Sequence, residues 1–320
     1  MSNRGAVGTG GSRPGGYPRR ALQPVTKNWG LYLMLLPAIT LTFCFAYMPM
    51  YGVIIAFKDY KNALGILASP WSDPLFKHFI KFFNSYQFAN TIRNTLTISI
   101  YSILVGFPIP ILLALLINQM QAMRFRRVFQ TITYLPHFIS MVVMVGMLLL
   151  LLSPSTGLMG ALYRLWGGKA PNLMGTATAF SSVYVWSGIW QNAGWDSIIY
   201  LAALAATDPS LYEAATVDGA GKLQKMLRID IPMLLPTVSI LLIMRAGGIM
   251  NVGFEKAYLM QNELNRTHSE LISTYVYKLG LLNSQYSFSA AVSLFNNVIN
   301  CALLVAINHV TKRISDNSLF

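Results

Sequence analysis

The segment from Leu31 to Phe57 carries no Lys, Arg, Asp, Glu or His. A helix needs about 20 predominantly apolar residues to cross the hydrocarbon core of a bilayer, so this stretch alone removes most soluble architectures. It is too long for the core of a signal peptide and lacks a small-x-small cleavage site, so it reads as an uncleaved first span, 30–57. Five comparable runs follow, at about 94–118, 128–152, 178–206, 232–254 and 287–310. Together they predict an all-α polytopic membrane protein with six transmembrane helices. Composition agrees: 54% of the 320 residues are hydrophobic and 11% charged, against about 25% charged in a soluble domain. Gly106, Pro108 and Pro110 predict a bend in the second run, and Pro136 one near the start of the third.

The net charge of +13 would suggest nucleic acid in a soluble chain. Here 13 Lys and Arg residues lie in short segments before, after and between alternate runs, against 9 spread over the longer loops on the other side, a modest bias of the kind that orients membrane proteins. Arg4, Arg13, Arg19, Arg20 and Lys27 precede the first run, and Arg124, Arg126 and Arg127 sit between the second and third. Lys222, Lys225 and Arg228 lie between the fourth and fifth, and Lys312 and Arg313 follow the sixth. Both termini are therefore expected in the cytoplasm, and no nucleic-acid partner is expected. Residues 1–29, rich in Gly and Arg, read as a disordered cytoplasmic tail, 30–312 as the transmembrane domain, and 313–320 as a short second tail. On the outer side, Phe76, Phe79, Ile80 and Phe83 share one helical face flanked by Lys77 and Lys81. This predicts a helix lying along the membrane surface or an ordinary loop helix.

Cys44 and Cys301 fall inside apolar runs, and the four histidines are far apart, so neither a disulfide nor a metal site is expected. There is no G-x-S-x-G and no H-E-x-x-H. The pair Gly221-Lys222 is not a phosphate-binding loop, because Thr216 stands five residues before the glycine and Leu223 follows the lysine. The chain is expected to be a transport subunit and not an enzyme.

That pair lies in a charged stretch between two apolar runs, EAATVDGAGKLQKMLRIDIPMLLP, from Glu213 to Pro236. Asp208-Pro209-Ser210 supplies a cap and a first-turn proline for a helix. Asp218-Gly219 breaks it, a second piece is expected over about 220–230 with Asp218 as its cap, and Pro232 and Pro236 open the fifth run. Glu213-Ala214-Ala215, then Asp218-Gly219-Ala220, then Ile229 and Ile231-Pro232 resemble the EAA loop of ABC importer permeases. Leu223 and Met226 stand where an aromatic is common, and Ile231 replaces a leucine. The stretches PMYGVIIAFKDY (49–60), RNTLTISIYSILVGFPIPILLALLIN (93–118), TYLPHFISMVV (133–143) and WDSIIYLAALAATDPSLYEAA (195–215) are similar to the polysaccharide-type branch of carbohydrate importers, which includes alginate-type importers.

The resemblance implies a type I ABC importer permease fold in the bacterial cytoplasmic (inner) membrane, with a cytoplasmic EAA coupling helix in the loop at about 208–231. Glu213, Ala214, Ala215, Asp218, Gly219, Ala220 and Pro232 would seat on a separate ATPase subunit dimer, which holds the ATP and Mg; no cofactor is implied in this chain. The further partners implied are a second, homologous permease, giving a heterodimer, and an extracytoplasmic sugar-binding protein. The substrate would be an oligo- or polysaccharide. A secondary transporter driven by an ion gradient would also explain six spans, but it leaves the EAA loop unexplained.

Polar groups inside spans mark either helix packing or a pathway. The fourth run gathers Trp186, Trp190, Gln191, Asn192, Trp195 and Asp196, a set able to stack on and hydrogen-bond to sugars. Its tryptophans fit interfacial anchoring equally well. Arg245 in the fifth run suits either a salt bridge, within the chain or to an acid of a partner subunit, or contact with an acidic sugar. Asn296 and Asn300 in the sixth suit either a pore lining or hydrogen bonds between helices.

Overall fold

A computed structural model describes residues 29–314; the expectations for the tails at 1–28 and 315–320 lie outside the described residues. The chain divides into two units, one ending at Gly52 and the other running from Val53. No strand occurs among the described residues, only an isolated antiparallel bridge between Lys58 and Trp71. The first apolar helix, α1, is Trp29–Phe57.

In the second unit the end of α1 and a helical turn at Gly65–Ala68 are followed by a short helix, α2 (Lys77–Phe83), then α3 (Gln87–Asn118). Helices α4 (Met123–Phe138) and α5 (Met141–Leu151) meet at a bend of 98°. There follow α6 (Leu158–Leu165), the 26-residue α7 (Phe180–Ala205), α8 (Pro209–Val217) and α9 (Lys222–Gly247). The last are α10 (Phe254–Met260), α11 (Ile272–Tyr277) and α12 (Tyr286–Ile314). By length and apolarity α1, α3, α9 and α12 are able to cross a membrane, and the bent pair α4–α5 makes a fifth if it is one span. Helix α7 is long enough at ~1.5 Å per residue but too polar to pass on hydropathy. It packs against α3, α4 and α9, so protein takes the place of lipid around much of it.

Two differences from the sequence-based spans have a common cause in proline geometry. Proline lacks the N–H that would bond to the carbonyl four residues back, and its ring crowds that carbonyl. In α1, α3 and α9 a five-residue π-helical stretch ends two residues before a proline. Phe43–Tyr47 precedes Pro49, Ser102–Gly106 precedes Pro108, and Met226–Asp230 precedes Pro232. The wider turn removes the conflict and lets the helix run on. So the bend expected at Pro108 and Pro110 appears as a π turn inside one 32-residue helix. The separate helical piece expected over 220–230 is instead the first part of α9, and α9 ends at Gly247, short of residue 254. Pro136 does break its run: a 3₁₀ turn, Leu135–Phe138, closes α4, and Ser140 starts α5 by accepting a hydrogen bond from the Val143 amide at 3.4 Å.

Burial divides into three clusters. Ala114, Leu115, Ile117, Tyr200, Leu201, Leu204 and Leu234 join the C-terminal half of α3 to the C-terminal end of α7 and to α9. Ile98, Met144, Val145, Phe180, Tyr184, Val185, Ala257 and Met260 join α3, α5, α7 and α10. Phe82 anchors a third cluster with Ile272, Phe288 and Val292. Of the face expected around α2, Phe76, Ile80 and Phe83 are exposed and Phe79 is half-buried against the Phe57 ring, while the neighbouring Phe82 is 1% exposed and meets the rings of Phe88, Tyr275, Phe288 and Phe295.

Helices α4 and α7 touch backbone to backbone at Gly194, where an added Cβ would sit 2.0 Å from the Thr133 carbonyl oxygen. Overfilling a packed contact costs about 1–3 kcal/mol even when side chains yield, and here the obstacle is backbone. Gly194→Val is expected to lower the thermal midpoint of the detergent-solubilised protein by several degrees. An unchanged midpoint would refute the contact.

Candidate functional site

A cavity of about 450 Å³ opens beside α7. Ser102, Gly106 and Pro110 of α3, Met141 of α5, Arg245 of α9 and Gly253–Lys256 at the start of α10 line it with one side of α7: Tyr184, Val185, Gly188, Ile189, Gln191, Asn192, Ala193 and Asp196. Of the residues singled out from sequence, Gln191, Asn192, Asp196 and Arg245 meet here. Arg245 donates from Nη2 to Asp196 Oδ2 at 2.7 Å, so its acidic partner lies in the same chain. Gln191 is 4% exposed. Its Nε2 donates to the Ile139 carbonyl at 2.9 Å, while its Oε1 has no hydrogen-bond partner. Asn192 Nδ2 donates to the Gly188 carbonyl at 3.1 Å, and Asn192 Oδ1 lies 3.0 Å from His137 Nδ1. The carbonyl-type oxygen makes that nitrogen the protonated one. The His137 ring stacks on Trp195 with 4.5 Å between centroids, so the α4–α5 bend is pinned to α7.

Trp186 and Trp190 are not brought to this cavity. They are about half exposed and line a separate apolar groove with Leu148, Leu152 and Val183. Adjacent helical positions differ by ~100°, so Trp190 points away from the face that Gln191 presents. Asn296 and Asn300 also lie elsewhere, closing the loop after α9. Asn296 Nδ2 donates to Asn251 Oδ1, and Asn300 Oδ1 accepts from the Met250 amide, both at 3.0 Å.

Lys256 was not anticipated, because it falls beyond the fifth apolar run. It is 5% exposed. Its Nζ donates to the Tyr184 carbonyl at 2.6 Å and sits 4.6 Å from the centre of the Tyr184 ring. Burial pushes its ammonium down to about 7.

The second candidate region is the loop between α7 and α9. Asp208 Oδ1 accepts from the Ser210 amide at 2.9 Å, which caps α8 and holds the Asp208 carboxyl below its usual range; Pro209 takes the first turn. The helix ends in a Schellman motif. The Ala220 amide donates to the Ala215 carbonyl at 2.8 Å and the Gly219 amide to Thr216 at 3.1 Å, and Gly219 has φ +75°. Asp218 is thus the C-terminal cap of α8, and Gly221, not Asp218, precedes α9. Across the turn, Lys225 Nζ donates to Thr216 Oγ1 at 2.7 Å. Glu213, Ala214 and Val217 are exposed and Ala215 is half-buried, so small residues, an acid and an apolar tip face outward. Pro232 lies inside α9, after the π turn.

Sequence reasoning missed Asp230. It is 0% exposed and accepts from Gln119 Nε2 at 2.7 Å, from Asn118 Nδ2 at 3.4 Å and from the Tyr212 hydroxyl. One carboxylate therefore ties α8 and α9 to the C-terminal end of α3.

Residues 106–316 match the model of the binding-protein-dependent transport system inner membrane component family. The chain belongs to that family. It is 39% identical over 302 residues to the polygalacturonan/rhamnogalacturonan transport system permease protein YteP of Bacillus subtilis, covering 94% of each chain. It is 39% identical over 290 residues to protein LplB of the same organism, covering 91% of each. Among solved structures it resembles a bacterial ABC transporter involved in the import of the acidic polysaccharide alginate, at TM-score 0.83 and 41% identity over 91% of this chain and 98% of that one. A bacterial alginate ABC transporter in complex with an alginate pentasaccharide-bound periplasmic protein matches at TM-score 0.84 and 40% identity, over 92% and 98%. The chain is therefore an ABC-importer permease component of the membrane, related to permeases of sugar importers.

Proposed function

We propose that this chain is one of two homologous membrane subunits of an ATP-driven importer for oligo- or polysaccharide. A dimer of separate ATPase subunits binds on the cytoplasmic side, and an extracytoplasmic sugar-binding protein delivers the glycan on the other. In this reading α1, α3, the bent pair α4–α5, α7, α9 and α12 are the six spans, with both termini in the cytoplasm. The observation that carries it is the pairing of two features: a polar cavity along α7, and an exposed helix–turn, α8 with Gly219, continuous in sequence with both α7 and α9. Closure of the ATPase dimer on ATP moves α8. The backbone links and Asp230 pass that movement to α3, α7 and α9, the helices that carry much of the cavity wall. The cavity opens outward to receive glycan and inward on hydrolysis. This chain supplies the path and the lever, and the ATP chemistry belongs to the partner.

The test is purification of the native complex in mild detergent with mass spectrometry of what accompanies it. A Walker-motif ATPase and a second permease support the reading. A chain that emerges intact and alone overturns it in favour of a secondary transporter. Gly219 gives a second check. A β-branched residue at positive φ costs about 1–2 kcal/mol and would reshape the Schellman turn, so Gly219→Val is expected to insert normally but to lose glycan uptake per ATP hydrolysed. Uptake coupled at the wild-type ratio would remove Gly219 from the lever.

A further inference from the structure

Among the described residues four charged side chains are buried: Lys58, Asp230, Lys256 and Glu270. A buried charge is costly unless it is paired or fully hydrogen-bonded, so each should have an account. Glu270 faces Lys278 at 2.9 Å and Arg266 at 3.2 Å. Asp230 takes three donors. Lys58 donates to the Ile66 and Leu67 carbonyls, both at 2.8 Å, and lies over the Trp71 ring. Lys256 is the least satisfied. Its three N–H groups have one carbonyl acceptor and one ring face, both from Tyr184. Among the described residues no carboxylate forms an ion pair with it, although Glu255, exposed, is its neighbour in sequence.

Its position gives the reason. The ammonium lies against Gly188, where an added Cβ would be 3.0 Å from Nζ. Tyr184, Gly188 and Gln191 follow at the i, i+4, i+7 spacing of one helical face, and all three line the cavity together with Lys256. Gln191 brings a second unmet group, the buried Oε1 that accepts nothing. A cation short of a counter-charge and an acceptor short of a donor therefore belong to the wall of one cavity, the first beside Gly188 and the second three residues further along the same helical face. The other cation of the cavity, Arg245, is already taken by Asp196.

We propose that Lys256 is the charge-reading contact of this cavity: it binds the carboxylate of a uronic acid unit in the passing glycan while Gln191 Oε1 accepts a hydroxyl of the same unit. This rests on the importer reading above and adds to it a substrate class and the residue that selects it. Tyr184 holds the ammonium in place between passages by its carbonyl and ring.

The test uses the complete importer, with its ATPase, partner permease and binding protein, in proteoliposomes. The probes are trigalacturonate and its methyl ester, each at saturating binding protein. Lys256→Met keeps the length and apolar stem of the side chain and removes the charge. The acid-to-ester ratio of uptake rates is expected to fall about tenfold, the scale of losing one desolvated charge contact, with the thermal midpoint unchanged. If Lys256 only struts α10 against α7, both glycans slow together and the midpoint drops; that outcome, or an unchanged ratio, overturns the proposal. If the binding protein rejects the ester, Lys256→Arg replaces it as the control. Trigalacturonate uptake restored by the second cation, relative to Lys256→Met, supports the proposal, and none restored overturns it. Failure of the wild-type importer to take up trigalacturonate also overturns it. The importer reading stands or falls separately, on the co-purification.

Discussion

Asp230→Ala is expected to abolish ATP-driven uptake while leaving the chain in the membrane. The substitution strands three donors at once, on Tyr212, Gln119 and Asn118. Each buried donor left without an acceptor costs about 1–3 kcal/mol, and the site is fully enclosed. The loss falls at the junction of α8, α9 and α3, so α8 can move without pulling α3. Hydrolysis by the ATPase should continue, or rise, with little uptake per ATP. Asp230→Asn keeps one acceptor oxygen, for Tyr212 and Asn118, but turns its NH2 toward the Gln119 amide donor, so its effect should be smaller and in the same direction. Two measurements check this: uptake per ATP in proteoliposomes, and hydrogen exchange over 209–218, which should speed up in Asp230→Ala. Wild-type coupling in that variant would show that the junction is not needed to transmit movement.

The contrast between Asp230 and Gly219 shows what the sequence could and could not reveal. The turn at Gly219 is local chemistry. Asp208, Pro209 and a glycine at the end of α8 are enough to specify a capped helix and a left-handed C-terminus, and both are present. Asp230 reads as one more acid in a polar loop. Its burial depends on Gln119, 111 residues earlier, which no local pattern encodes. The same holds at the cavity. The polar cluster on α7 was legible because polar groups are rare in apolar runs, but its grouping by proximity put Trp186 and Trp190 with Gln191, and helical rotation separates them. Lys256 escaped notice because its run had ended; only the return of α10 onto α7 makes it part of the cavity. The apolar runs were read largely at their observed positions. The start of the fifth moved back to Lys222 because a π turn lets α9 run through Pro232, a compensation in backbone geometry that the proline itself does not announce.

The Asp196–Arg245 pair carries the second large expected effect, because its two members have competing roles. The pair joins α7 to α9 inside the cavity, with side chains 32% and 44% exposed. Breaking a fully buried pair by removing one partner costs about 3–5 kcal/mol, and an exposed pair contributes about 0–1. This one, partly exposed within the cavity, should fall between, at about 1–3 kcal/mol. Asp196→Asn leaves an uncompensated guanidinium, and Arg245→Met an uncompensated carboxylate. Each single variant is expected to lower the thermal midpoint and to slow uptake. The double variant Asp196→Asn/Arg245→Met should be more stable than either single, since no lone charge remains. Uptake separates the two roles. If the pair only holds α7 against α9, uptake in the double variant recovers toward wild type along with stability. If Arg245 also meets the glycan, stability recovers and uptake stays at the level of Arg245→Met. The geometry favours recovery of both, because Asp196 already occupies the guanidinium at 2.7 Å while Lys256, further along the same wall, has no such partner. A double variant no more stable than the singles would mean that the two charges act independently.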